Sequence, residues 1–377
     1  MSQPALSLEV LRAEHGDCLL LHHGDDIILI DGGPSGVYKP TLKPRLQELM
    51  AERPRPLFLQ MVMVSHIDDD HIVGLTEMFG EAVDRRENRL GPPEWTAGEL
   101  WLNAFGALTG ASPTAGEGDT RGAALNDLVT RAPGSESQAI AASVKNGIAL
   151  HQDAITLGIP RNASVGGGLV QRGGATSTVE AAPGLTFTVL APDQPELDKL
   201  QKKWEKWETD HPVQEAANLD RSVFNLASTV VLAQSGNRTL LLTGDARSDA
   251  IVAGLEGEGL LPDAEPLMVD VLKLPHHGSS RNVDATFFER VHARHYVISG
   301  NGRDGNPETE TLKLLCDSRL EDDEPWTLWL TYGAEPGDGK LDLPARLAEF
   351  FAARETANQK LDVKIAKPGE RHTITLT

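Results

Sequence analysis

The chain of 377 residues carries 35 Lys and Arg against 55 Asp and Glu, a formal net charge of −20. It is long enough to bury a large core. It lacks the basic face that holding long nucleic acid by its phosphates requires, and its longest basic runs are the pairs Arg85-Arg86 and Lys202-Lys203. No apolar run approaches bilayer-spanning length, and residues 1–6 lack a leader's basic start and apolar stretch. The two cysteines, Cys18 and Cys316, have no metal or redox spacing, which fits a reducing compartment. The expectation is a cytoplasmic protein with no membrane partner.

In chain order, strands are predicted near 6–12, 17–22 and 27–31, then a helix at 43–52, a strand at 58–64 and a helix at 71–80. The apolar run Leu57–Val64 reads as a buried strand. It runs into Ser65-His66-Ile67-Asp68-Asp69-Asp70-His71, with potential ligands His66, Asp68, Asp70 and His71 within six positions. Side chains of these types, this dense, repel one another or stay hydrated unless a cation organises them. The end of a central strand is also where an α/β sheet places its chemistry.

Residues 82–184 are long for a connection within one domain. Glu99–Leu102 reads as a short strand, 121–131 and 136–157 as helices, and Gly166–Gly168 with Gly173-Gly174 as turns. The stretch is either a packed insertion or a lid over the metal motif. Residues 195–209 interleave Lys with Glu and Asp around Trp204 and Trp207, as a solvated amphipathic helix would.

The second half alternates strands near 186–190, 226–233, 239–243, 269–274, 295–299 and 326–331 with helices near 247–256, 283–290, 307–316 and 343–356. Two short strands close it. This alternation predicts a mixed α/β sandwich in one domain, 1–377. Three further strands end in ligand-type residues beside glycine: Ile30-Asp31-Gly32-Gly33, Thr243-Gly244-Asp245 and Pro275-His276-His277-Gly278-Ser279.

This ordered set resembles the metallo-β-lactamase-fold hydrolases. Within them it is most similar to the branch containing the soluble domain of the competence DNA-uptake channel. That branch shares the His-x-Asp-x-Asp-His form, the Gly16-Asp17 strand start, Asn225-Leu226-Ala227-Ser228, and Pro-His-His-Gly-Ser. The resemblance covers 5 to about 85 and 185 to about 335. It implies an αββα sandwich and one or two divalent ions. One site would use His66, Asp68 and Asp245, with Asn225 near it where the commoner pattern has His. The other would use Asp70, His71, Asp245 and one of the later His pair. Asp68 also replaces a commoner His, and oxygen ligands favour Mn²⁺ or Mg²⁺ over Zn²⁺ there.

Asp70 is then placed to ligate metal and to orient the attacking water. Asp31 would hold a ligating imidazole by its other nitrogen; Asp17 would either do the same or simply cap a turn, and sequence leaves that choice open. Strand alternation points His276 and His277 in opposite directions. One is therefore expected on the metal, here His277, and the other, His276, to deliver a proton, although sequence leaves the choice open. Asn306, where the similar branch often has His, is expected to hydrogen-bond a substrate oxygen. The expected activity is metal-dependent hydrolysis of small or short phosphodiesters, with long duplex disfavoured unless a protein partner assists. Carboxylic ester, lactone or amide hydrolysis by the same site is the alternative. A regulatory subunit with a degenerate metal site is the other.

Overall fold

The computed structural model describes residues 4–53, 56–103, 135–174, 176–199, 202, 227–320, 324–334, 342–354, 357 and 360–376. Two large sheets carry the fold. The first joins β16 (His372–Leu376), β1 (Leu6–Val10), β2 (Leu19–His23), β3 (Asp26–Ile30), β5 (Met61–Met63) and β7 (Leu100–Trp101), in that spatial order. The second joins β15 (Leu361–Ile365), β14 (Trp326–Leu330), β13 (Val291–Ile298), β12 (Leu267–Lys273), β11 (Arg238–Leu242), β10 (Val230–Ser235), β9 (Leu185–Ala191) and β8 (Thr178–Ala182).

The strands show why the sheets stack. Ile28 and Ile30 of β3 point into one apolar cluster, and Ile27 and Leu29 into another. The first cluster also takes Leu240 and Leu242 of β11 and Val297 of β13, so it lies between the two sheets. The second is covered by α1 (Lys43–Glu52) and α2 (Asp69–Glu87). On the far side, Leu241 and Tyr296 face a third cluster. It is covered by α4 (Ser248–Gly257), α5 (Ala285–Arg290), α6 (Thr309–Ser318) and α7 (Leu343–Arg354). The layers therefore run helix, sheet, sheet, helix, the αββα order that the sequence resemblance implies. Strands with both faces buried read as continuous apolar runs, which is how they appear in the sequence.

Several boundaries differ from the sequence-based expectation. The strand expected at 58–64 is two strands. β4 (Leu57–Leu59) pairs with β6 (Trp95–Ala97) in a separate ribbon, while β5 joins the first sheet. Gln60 makes the break: its backbone N–H donates to Ile27 O at 2.8 Å, and its side-chain amide to Asp26. The helix expected at 71–80 begins at Asp69, so the metal motif reaches into its first turn. The strand expected at 226–233 begins at Val230.

The described parts of 82–184 are built into the sandwich. They finish α2, supply edge strand β7 to one sheet and β8 to the other, and add α3 (Ser135–Leu157) against α2. The helix expected at 121–131 and most of the element expected at 195–209 lie outside the described residues.

Candidate metal centre

Strands β3 and β5 are parallel, and so are β11, β12 and β13. Their carboxyl ends converge. Asp31, Ser65, Asp245, the His276-His277 pair and Ser299 each follow one of these strands. Asp17 precedes β2, which runs antiparallel to β3, so it arrives at the same end.

Close backbone contacts lock the first sheet's contribution. Gly32 N–H donates to His71 O at 2.7 Å and Gly74 N–H to Gly33 O at 2.9 Å. A Cβ on Gly74 would lie 1.9 Å from Gly32 O, so the loop can sit on the first turn of α2 because neither residue has a side chain. Gly16 makes a similar approach: its Cβ would be 1.7 Å from Asp70 O. From α3, Asn146 Nδ2 donates to Asp69 Oδ1 at 3.0 Å, bracing the motif from the side.

Asp245 is the hub, and its two oxygens face different partners. Oδ1 lies 3.3 Å from His71 Nε2 and 3.6 Å from His277 Nε2. Oδ2 lies 3.8 Å from His66 Nε2 and 3.6 Å from His276 Nε2. Asp70 Oδ2 is 3.9 Å from His71 Nε2 and 3.7 Å from His277 Nε2. Asp68 Oδ2 is 3.8 Å from His66 Nε2.

The Nε2 atoms of His66, His71 and His277 and the Oδ1 of Asp245 are buried with no hydrogen-bond partner. Four orphaned polar atoms aimed at one point are costly unless something fills it. Nitrogen and carboxylate donors at these separations fit a divalent cation. His71 gives the same reading. Burial alone would lower its proton affinity, but Asp245, Asp31 and Asp70 hold it well above the ordinary range. A buried ring among three carboxylates demands positive charge, which an ion supplies as well as a proton does. Asp245 and Asp70 are held below the usual carboxylate range despite burial, Asp245 by His276, His71 and His277, and Asp70 by His71 and His277. Burial, with His71 beside it, lowers His66 to about 3, so it presents a neutral ring.

Behind these groups stands a second layer. Asp31 Oδ2 accepts from His71 Nδ1 at 2.8 Å, and its other oxygen accepts the Ser65 N–H at 2.7 Å. Ser65 Oγ lies 3.1 Å from His66 Nδ1. Ser299 Oγ lies 3.0 Å from His277 Nδ1 and donates onward to Asp17 Oδ1. Asp17 Oδ2 pairs with Lys273 Nζ at 2.9 Å, deep in the molecule, where Lys273 is 1% exposed. Burial opposes the charge on Asp17, but Lys273 and His277 hold its carboxyl below the usual range. Although Asp17 is close to His71 and His277, both of its oxygens are engaged, and it faces the Nδ1 side of both rings. Asp17 therefore stands behind His277, on the side of the ring away from Asp245.

Of three sequence expectations, one meets a different geometry, one concerns a residue engaged within the protein, and one lies outside the described residues. Strand alternation does not govern the His pair, because β12 ends at Lys273 and His276 and His277 both take left-handed backbone (φ 47° and 55°). Both rings therefore turn towards Asp245. Asn306, expected to bond a substrate oxygen, donates its Nδ2 to His276 O at 3.2 Å and braces that turn. Asn225 lies outside the described residues.

Sequence reasoning missed Ser65, Ser299, Lys273, Asn282 and His15. His15 precedes Gly16, which is wedged on Asp70. Its proton affinity is lowered by burial and felt by Asp70, Arg303 and His277, which puts it at the rim of the centre. Arg303 Nη1 is 3.3 Å from its Nδ1. The adjacency of His15 to Gly16-Asp17 was the available signal.

No family model matches the chain. Microtubule-associated protein 1S of Bos taurus is 31% identical over 120 residues, 32% of this chain and 10% of that protein. The chain thus spans about a tenth of that relative's length. Among solved structures, the metallo-beta-lactamase fold protein YhfI from Bacillus subtilis is similar over 98% of this chain and 100% of its own, with a TM-score of 0.40 and 13% identity. Igni18, a metallo hydrolase from Ignicoccus hospitalis, is similar over 98% and 100%, with a TM-score of 0.41 and 14% identity. Among the described residues, no helix is long and apolar enough to cross a membrane.

Proposed function

We propose that this chain is a metal-dependent hydrolase acting on small or short phosphodiesters. The observation that carries the reading is the convergence of unpartnered His66, His71 and His277 Nε2 atoms on the carboxylate of Asp245. A divalent ion bound there supplies Lewis acidity, which lowers the pKa of water and draws charge from a phosphoryl or carbonyl oxygen.

The protein's own groups do the rest. Asp31, Ser65 and Ser299 fix the rings so that each turns Nε2 inward. Asp70, on the first turn of α2, has the position and the low proton affinity to accept a hydrogen bond from a water and orient it. At the rim, Arg303 offers a guanidinium to an anionic substrate oxygen. His15, neutral through burial and within reach of Arg303, is a group that can exchange a proton near the centre.

Two arguments favour phosphodiesters over carboxylic esters. Asp68 and Asp70 make the ligand set oxygen-rich, which suits Mn²⁺ or Mg²⁺ as well as Zn²⁺. The motif set also resembles the competence-channel branch. The net charge of −20 favours short substrates over long duplex, for which a basic protein partner would be needed. Free, buried Cys18 and Cys316 fit a cytoplasmic setting.

The test compares hydrolysis of bis(p-nitrophenyl) phosphate and p-nitrophenyl acetate, with the chain stripped of metal and then reloaded with Mn²⁺ or Zn²⁺. Metal-dependent phosphodiester cleavage is expected. Faster cleavage of the acetate would move the reading to ester hydrolysis. Plasmid cut faster than a dinucleotide would overturn the size argument.

A further inference from the structure

We infer that His276 is a metal ligand. With His66, Asp68 and Asp245 Oδ2 it makes a second cation site beside that of Asp70, His71, His277 and Asp245 Oδ1. The inference deepens the hydrolase reading and rests on it.

The tautomer argument comes first. His276 Nδ1 is 2.8 Å from Asn282 Oδ1. The other end of that amide is fixed, since Asn282 Nδ2 donates to Asp245 O at 2.9 Å. Oδ1 is therefore an acceptor, and His276 must carry its proton on Nδ1. In the singly protonated ring, Nε2 then turns its lone pair towards Asp245 Oδ2 at 3.6 Å. His66 Nε2 faces the same oxygen at 3.8 Å, and its Nδ1 lies 3.1 Å from Ser65 Oγ, whose own proton goes to Asp31 Oδ2, so the His66 proton also sits on Nδ1. Two imidazole lone pairs and a carboxylate oxygen converging in this way repel one another unless a cation lies among them.

The second argument is the common pattern. His71 presents Nδ1 to Asp31, His277 to Ser299 and His276 to Asn282, and each turns Nε2 towards Asp245. An imidazole whose outer nitrogen is held by an acceptor is the usual arrangement of a metal ligand.

The third argument is the backbone. Consecutive non-glycine residues with positive φ are unfavourable and persist only where surrounding contacts hold them. The left-handed turn at both positions brings both rings onto the carboxylate, one to each oxygen. His276 N–H also bonds to Gly244 O at 3.1 Å, tying the turn to the Asp245 loop itself.

His276 thus supplies the nitrogen that Asp68 removes from the commoner ligand pattern. Its side chain is 31% exposed against 3% for His277, so the site it completes is the outer, more exchangeable one.

The test titrates the full-length apoprotein with Co²⁺, following visible d–d absorption and bound metal after gel filtration. The wild type is expected to take two equivalents, one more weakly. His276→Ala is expected to take one, with the tighter site's affinity unchanged. In His276→Cys, a cobalt–thiolate charge-transfer band in the near ultraviolet is expected with the second equivalent. That band reads coordination directly even if His276→Ala fails to fold. Two equivalents of unchanged affinity in His276→Ala, or a His276→Cys protein that binds two ions without the band, would overturn the inference and leave His276 as a proton donor. A wild type that binds a single ion, unaltered in His276→Ala, would overturn it as well. A wild type that binds no cobalt would instead overturn the hydrolase reading on which it rests.

Discussion

Asp31 and His71, 40 positions apart in sequence, meet through a 2.8 Å hydrogen bond that sets which nitrogen His71 turns to Asp245. The bond joins the end of β3 to the first turn of α2, so one carboxylate couples sheet geometry to ligand geometry. Burial raises the Asp31 proton affinity while His71 opposes that rise. Asp31→Ala should therefore weaken metal binding by about 10–100-fold, the usual cost of losing such a partner. Competition with a chromogenic zinc chelator measures this, and an unchanged affinity would show that His71 needs no such support.

The crossing of Gly32 and Gly74 makes the Asp31–His71 meeting possible. Gly74→Ala places a methyl 1.9 Å from Gly32 O, so the loop or the helix must move. A loss of about 1–3 kcal/mol is expected from such overpacking. Urea denaturation of the apoprotein reads it, and weaker metal binding should accompany it. A variant as stable as wild type would mean that the loop shifts freely.

Asp17 and Lys273 are a buried ion pair between the two sheets. Removing one partner leaves the other charge buried, which typically costs about 3–5 kcal/mol. Asp17→Ala should show that loss, whereas Asp17→Leu combined with Lys273→Met should recover most of it. If the double variant is no better than the single one, the pair is needed for more than charge balance, and the link through Ser299 to His277 becomes the reason.

Asp153, on α3, is pushed up to about 6 by burial and by Asp84 and Glu87 on α2. Its folded pKa lies above the ordinary 3.8, so the folded state binds this proton more tightly than the unfolded state. Stability from this group is present at low pH, falls as pH rises from 3.8 to about 6, and is lost above that. Asp153→Asn should raise the melting temperature at pH 7.5 and leave it unchanged near pH 4. An equal effect at both pH values would remove the charge explanation.

The sequence by itself determined the types of the candidate ligands and that most of them follow the ends of strands. His66, Asp70, His71, Asp245 and the His pair were readable because buried strands are apolar runs and the residues that stop them are conspicuous. Alternation of strands and helices likewise fixed the sandwich, since period and burial are local properties of the chain. What the tertiary structure decided is how those residues meet. It turned both His276 and His277 onto Asp245 by a left-handed turn that strand periodicity does not encode. It placed Asp17 behind His277 and against Lys273, across 256 positions of sequence. It split one apolar run into β4 and β5 through a hydrogen bond from Gln60 to Ile27. Each depends on contacts between segments remote in sequence, whose energies act once the two sheets have packed and water has left the space between them.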